Sequence, residues 1–544
     1  YDFLADTDNQ SSYEVLSQQV VTRQIQTDPE PQITAFSLSS DQSPLFETVN
    51  SGIYRGQNKS SLVFHAARYS ESRPDEMLIV RNARFRVYKS RQSRPQTALN
   101  KTGTSQLSSS PLADGEWYKI PVTDKGIYTL GSDYLIELGL TVDQLDPENL
   151  QIWTTPGGEL PRLNAADRPT LTQIPIIVEG EADGSFDESD RVIFYADSPH
   201  LDIRDTDSDT FSHQLHRYSD VNYVLLRVNG SGESRRLSTS DATGSGQTIT
   251  EFRDFRWMEE EIAKSEPTIR SGLEWYGIRL SNSSGQRERV IFDQAVPGII
   301  PGRNMDIEIR FIGRSTQSMS MNFAYEGQSL GSSSVLPINN YRSEEGISGR
   351  SRIIRSSATV QDSEQIRISG QLNASEPTSE GMIDWVRLTY DRRLIANNDY
   401  LFIYSPAGVS NQAGTYQLQG FTAEPLVMEV SDPLNPELIA VSGTASEFNF
   451  SYQHSDGNRF VAQAGYFTPE QGSRLPNQNL RGLTSSPDYV IVTSEFYSEL
   501  ANEWADYRRE QDGYDVVVVT QDQIFNEFSG ATPDVTAIRD YIKF

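Results

Sequence analysis

The apolar runs of this chain are strand-sized. "IPIIV" (174–178) and "VVVV" (516–519) are typical, and nothing approaches the ~18 consecutive apolar residues that a membrane helix requires. Instead, short β-branched and aromatic segments recur, split by Gly, Asp, Asn and Pro. Among them are "EWYKIPV", "GIYTLG", "LQIWTT", "RVIFYA" and "NYVLLRV", then "ERVIFD", "DIEIRFIG", "MSMNFAY", "QIRISGQL" and "DWVRLTYDRRL". Strands at such short intervals with turn residues between them indicate β-sandwich-like modules. No repeat of fixed period is present.

Composition shifts divide the chain. Residues 1–110 are read as an N-terminal arm, a β segment and a linker. The first thirty are polar and patternless, so a poorly ordered arm is expected. "SSLVFHAARY" and "ARFRVYKS" read as strands, and the Ser, Thr, Gln and Pro of 90–115 as a linker. Residues 111–249 form a β module with one short helix. Ser132 is its expected cap, Tyr134, Leu135 and Leu138 its buried face, and Gly139 its stop. Residues 250–430 are a β-sandwich module, and 431–486 a β segment with a connecting loop.

At Pro487 the texture changes. "DYVIVT" and "YDVVVVT" read as strands covered on both faces. Between them Phe496, Leu500, Trp504 and Tyr507 recur at helical spacing, and Gly513 ends the helix. Such a β-α-β unit implies parallel strands and a right-handed crossover. Residues 522–544 read as a loop and a helix capped by Asp534, with Ala537, Ile538, Tyr541 and Ile542 at helical spacing. Two strands do not make a doubly wound sheet. The expectation is that 487–544 opens a larger α/β domain and is incomplete; the alternative is a small α/β cap on a β protein.

The chain has 75 acidic and 47 basic residues, a net charge of −28. A duplex-binding protein needs a basic footprint, so nucleic acid is excluded as a partner class. Cysteine is absent, so there are no disulfides and no thiol chemistry within these residues. The first residue is Tyr, without the n-region and h-region of a leader; a removed signal peptide or a fragment is expected.

One loop has metal-ligand spacing. "EGEADGSFDESD" (179–190) offers Glu179, Glu181, Asp183, Asp187 and Asp190 at loop positions 1, 3, 5, 9 and 12, with Gly184 at the turn position and Phe186 at the apolar one. Ca2+ is the expected ion. The other reading is an acidic hairpin turning at Asp183-Gly184. The run "DTDSDTF" (205–211) reads as a solvated loop. "HQLH" (213–216) has no acidic partner at zinc spacing and reads as surface histidines. "GQSLG" (327–331) matches a nucleophile elbow in letters, but no helix follows Ser329, so a β-turn is expected. Trp275, Tyr276 and Trp385 could stack on sugars, but are expected in the core.

"PDYVIVTSEFYSELANEWADYRREQDGYDVVVVTQDQIFNEFSGATPDVTAIRDYIKF" (487–544) resembles the opening of the gingipain-type cysteine peptidase domain, whose "QIYNEFS…AIRDF" motif falls on Gln523–Tyr541 with Phe525 in place of Tyr. Upstream, "GEWYKIPVTDKGIYTLGSDYLIELGL", "RSGLEWYG", "GMIDWVRLTYDRRL" and "MEVSDPLNPELIAV" follow one another as in the sortases of the bacterial type IX secretion system. The resemblance covers residues 114–544. It implies a mainly β protein followed by the truncated start of a caspase-like α/β domain with a Cys nucleophile and an assisting His, working through an acyl-enzyme. It also implies a secreted, outer-membrane-associated enzyme. Such an enzyme removes C-terminal signal domains from secreted cargo proteins and attaches the cargo to the surface, with an outer-membrane barrel such as PorV as partner and no direct membrane insertion. The family's His and Cys motifs lie beyond the "AIRDF" helix, and none of the five His here (65, 200, 213, 216, 454) falls in the peptidase segment. No catalytic residue carries over, and the chain alone is expected to be inactive. The competing reading is a non-catalytic secreted β-sandwich adhesion or scaffold protein.

Overall fold

The computed structural model describes residues 109–544 apart from 231, 241–245, 263–273, 339–348, 409–411, 445–446, 455–456 and 484–485. Before residue 109 it describes the strands Phe3–Ala5, Ser12–Gln24, Phe46–Tyr54, Gln57–Phe64, Ala67–Ser70 and Arg73–Tyr88. The chain divides into two compact units, Tyr1–Thr102 and Gly103–Phe544.

The first unit holds two three-stranded sheets. Its Ser12–Gln24 strand pairs along Arg73–Tyr88, from Ser12 opposite Tyr88 to Gln24 opposite Glu76. The expected disordered arm is therefore a strand in part: ladder hydrogen bonds supply order that side-chain pattern does not announce. Most of the linker, including 89–108, and His65 lie outside the described residues.

The second unit is mostly β. Its first body packs the sheet Thr172–Ile174, Gln151–Thr154, Asn222–Val228, Glu116–Val122, Ser473–Leu475 against the sheet Ile177–Glu179, Arg191–Ala196, Gly126–Gly131. Ile120, Leu130, Leu135, Ile152, Phe194 and Val224 share its core. The helix Ser132–Glu137 has Gly131 at its N-cap, not Ser132, whose hydroxyl instead donates to the Glu188 carbonyl (3.2 Å). Tyr134 and Leu135 are buried, and Gly139, at φ +90°, ends the turn.

The sandwich proper pairs Glu251–Glu259, Glu380–Arg393, Asn304–Arg314 and Arg350–Thr359 in one sheet, and Glu288–Ala295, Gln365–Ala374, Met319–Tyr325 and Gln328–Val335 in the other. Along Met319–Tyr325 every second residue is buried, as an inward-outward pleat requires. Ile307, Ile309, Phe311, Met321, Phe323 and Ile368 meet between the sheets.

A third body crosses the boundaries drawn from composition. Tyr400–Tyr404 and Leu426–Glu429 both pair with Arg459–Gln463, and Ala413–Leu418 pairs with Glu447–Gln453. Thr239–Ser240 and Gln247–Ile249 join these two sheets in parallel. The 430/431 division thus runs through one core, because strand partners are chosen by long-range packing and not by linker composition.

At the C-terminal end Tyr489–Thr493 and Val516–Thr520 pair in parallel around the helix Ser498–Asp512, which closes on Gly513 at φ +68°. The segment expected as a loop contains a further helix, Gln521–Phe528, started by a Thr520/Gln523 capping box. The last helix, Val535–Lys543, is capped by Asp534 on the Thr536 amide (2.7 Å). It shares one apolar cluster with Val519, Val490 and Val492 of the two parallel strands. Ala537 and Tyr541 pack on Ile524, Phe525 and Phe528 of the preceding helix and on Leu160 of the first β body.

Candidate functional site

The C-terminal segment is seated on the first β body through buried polar groups. Asp534, 1% exposed, accepts from the Leu160 amide (2.8 Å) as well as capping its helix. Asp540 pairs with Arg168 (2.5 Å), and Arg539 donates to the Pro161 carbonyl (2.9 Å). Glu527 accepts from the Leu480 amide (2.7 Å), the Arg481 amide (3.1 Å) and Gln478 (2.9 Å). Arg481 returns a bond to the Glu527 carbonyl (3.0 Å) and lies over the Phe528 ring. Gly530 sits where a Cβ would come within 2.4 Å of the Thr155 hydroxyl, so the close approach requires glycine. Buried groups so fully paired define one seating, since shifting the segment would strand several of them.

His216 belongs to this junction. Its Nδ1 accepts from the Tyr218 and Ser219 amides (3.3 and 3.1 Å), which places the ring proton on Nε2, 4.0 Å from Asp534. Burial holds its pKa down. The "HQLH" histidines are not surface residues: His213 and His216 are 7% and 3% exposed. Three positions apart at and just past the end of the strand Thr210–Gln214, they serve different neighbours.

His213 anchors a cluster of titratable groups. It lies flat on Trp257 (4.2 Å, 7°). Arg387 donates to its Nδ1 (2.7 Å), so its Nε2 proton goes to Glu259 (2.5 Å). Glu259, Glu261 and Asp384 hold their ligand atoms within 4.8 Å of one another, the one such group of acidic or imidazole side chains among the described residues. Arg310 bridges Asp384 and Glu274. Burial first, then the neighbouring Glu259 and Asp384, push Glu261 up to about 7. Burial likewise raises Asp384 to about 6, against the opposing pull of Arg310. The set could share a proton or a divalent cation. Sequence reading missed it because Asp384, within the strand Glu380–Arg393, and His213 lie far along the chain from Glu259 and Glu261, and the short acidic run holding those two carries no ligand spacing by itself.

The five carboxylates of 179–190 are not brought together in this way. Glu179 pairs with Arg191, and Glu181 with Arg236 (2.8 Å). Asp183 caps the Ser185 amide (3.0 Å), and Asp190 turns inward to accept from the Asp187 amide (2.8 Å). Asp190 also packs on Gly180, where a Cβ would meet its carboxylate at 1.8 Å. The donor set does not fit Ca2+: arginines hold two of the five ligands, and backbone amides two more. Ser329 stands in the strand Gln328–Val335 with no helix after it, and "DTDSDTF" turns the hairpin between Leu201–Asp205 and Thr210–Gln214. Tyr276 and Trp385 are core residues, 2% and 7% exposed.

Residues 483–544 match the model of peptidase family C25. A C25 peptidase domain starts at this end of the chain. The structure of dimeric latent PorU from Porphyromonas gingivalis superposes with a TM-score of 0.68 at 23% identity, covering 80% of this chain and 40% of that one. The chain thus spans two fifths of that protein's length, and the two share a fold. The CBM36-1 domain of a multidomain xylanase from the hindgut metagenome of Trinervitermes trinervoides (TM-score 0.13, 12% identity, 19% of this chain and 68% of that one) and the insecticidal delta-endotoxin Cry8Ea1 of Bacillus thuringiensis (0.18, 10%, 46% and 43%) are too distant in shape to carry any argument. No curated protein matches the chain.

Proposed function

We propose that this chain is the N-terminal part of a PorU-like C25 cysteine peptidase. It would work at the cell surface, removing C-terminal signal domains from secreted cargo and transferring the cargo to an acceptor there. The observation that carries this reading is the fold shared with PorU over 80% of the chain, ending in the C25-matching segment. In this reading the β bodies are the platform. The paired groups at Leu160, Arg168, Gln478 and Arg481 hold the peptidase domain at one angle to the surfaces that receive cargo.

The nucleophile and its His would come from residues following Phe544, since the chain has no Cys. The test compares two proteins. The form extended through the peptidase domain should release the signal domain from a cargo protein and be labelled by a thiol-directed peptidyl probe. Residues 1–544 should do neither. An extended form that neither cleaves nor labels would favour a surface scaffold instead.

The net charge of −28 opposes adhesion to an anionic surface, and no helix among the described residues is long and apolar enough to cross a membrane. In this reading a protein partner such as the outer-membrane barrel PorV would hold the enzyme in place. Co-purification of residues 1–544 with that barrel is expected; absence of binding at tens of micromolar would move the contact to the peptidase domain.

A further inference from the structure

A cavity of about 430 Å³ lies where three parts of the second unit meet: the Asp124–Lys125 turn with His200 and Asp202, the sandwich strand Glu251–Glu259, and the strand Tyr400–Tyr404. Its volume is in the range of small-molecule sites. The exposed residues Asp124, Gln294 and Asn397 line it as well and mark its mouth.

The acceptors on its walls are engaged. Asp202 takes the Lys125 ammonium, the Trp257 indole N–H (2.8 Å) and the Tyr404 hydroxyl (2.9 Å). Asp254 takes the Phe255 amide (2.8 Å), the Tyr390 hydroxyl (3.3 Å) and Arg392 Nη1 (3.2 Å).

The donors are in surplus. Two guanidiniums, Arg256 and Arg392, face the single carboxylate of Asp254. Arg392 is 2% exposed; its Nη2 donates to the Ile395 carbonyl (2.5 Å), and its Nε has no hydrogen-bond partner. The phenols beside them, Tyr390 and Tyr400, supply no negative charge, because burial pushes both far above their ordinary value. Asp124 at the mouth balances the charge of the lining, but one buried Arg392 N–H is left without an acceptor, which is a costly state for a protein interior.

We propose that this cavity binds a small ligand carrying a single carboxylate. Arg256 and Arg392 hold the carboxylate, and Trp257, Phe402 and Phe467 contact the apolar body. A planar carboxylate suits guanidinium geometry. A dianion would be repelled more strongly by Asp124 and Asp202. The carboxylate belongs to a free acid or to the open C-terminus of a peptide.

Titration calorimetry on residues 1–544 tests this with benzoate, inorganic phosphate, and a Phe-ending tetrapeptide with a free or an amidated terminus. Saturable binding of benzoate is the outcome for a free acid, and of the free-terminus peptide alone for a chain end; the amidated peptide should not bind and phosphate should not compete. Arg256→Gln should weaken binding at least tenfold. Gln294→Trp, which fills the mouth from an exposed strand position, should do the same and carries the test if R256Q does not fold. Absence of saturable binding by both carboxylates overturns the proposal. So does equal binding of the amide, competition by phosphate, or affinity unchanged in Q294W.

Discussion

The sandwich of residues 251–393 and the helix Ser498–Asp512 were equally periodic in sequence, yet they bury their apolar residues differently. In the sandwich the alternating residues go inside: Ile307, Ile309, Phe311 and Phe323 are at most 2% exposed. In the helix the apolar stripe faces out. Leu500, Trp504 and Tyr507 are 60%, 48% and 51% exposed, and Phe496 in the turn just before the helix is 85% exposed, while Ala501 and Ala505 are buried. A strand pair has two faces, and its twin sheet decides which is inside. A helix stripe shows only that some surface is apolar; what covers it depends on the elements around it. Two parallel strands offer room only for the alanine side.

Mutation can break this comparison. Phe311→Ala should cost the sandwich about 3–5 kcal/mol, the range for truncating a buried aromatic, read by urea unfolding. Leu500→Ala should change the same transition by no more than about 0.5 kcal/mol. A large loss from L500A would mean that the stripe is covered.

The junction of the C-terminal segment should fall between these extremes. Asp534→Ala removes a helix cap and leaves the buried Leu160 amide without its acceptor, a loss of about 2 kcal/mol. Faster amide exchange in Val535–Lys543, with the sandwich unchanged, is the expected signature. Uniform acceleration through both regions would show them to be one cooperative unit.

Acidity sharpens the comparison, because His216 and Glu261 carry opposite signs. Burial holds His216 below its ordinary value, so its contribution is present above about pH 6.5 and is lost as pH falls. Glu261, pushed up to about 7, takes up a proton on folding; by itself it adds stability to the sandwich end as pH falls from about 7 toward the ordinary carboxyl range. Lowering the pH from 8 to 5 should therefore loosen Val535–Lys543, followed by hydrogen exchange, while at the sandwich end the gain from Glu261 is opposed by His213, which burial also holds below its ordinary value. Glu261→Gln should raise stability at pH 8 by less than about 1 kcal/mol and leave it unaltered at pH 5. The same shift at both pH values would deny the proton uptake.

The smallest effect is expected at the acidic turn. Asp190→Ala should lower the melting temperature slightly, through loss of the Asp187 amide contact, by the same amount in calcium and in chelator. A deficit confined to calcium would restore the loop as a metal site.

Much of this architecture was legible because it is local. Alternation in "MSMNFAY" and "DIEIRFIG", the Gly139 and Gly513 stops and the Asp534 cap follow from residue types within a few positions. The spacing of carboxylates in 179–190 was legible too, but spacing does not say where side chains point. Arg191 and Arg236 took two of them, and Arg236 comes from a segment some fifty residues away.

By itself the sequence determined the mainly β character, the β-α-β texture after Pro487 and the absence of a thiol, since each depends on local pattern or on composition. Tertiary structure alone decided which strands share a core across 430/431, which face of Ser498–Asp512 is covered, and where charges meet. His213, Glu259 and Asp384 come together, as do Arg256, Asp254 and Arg392, only because strand pairing and sheet packing bring distant residues side by side, and no interval along the chain records that proximity.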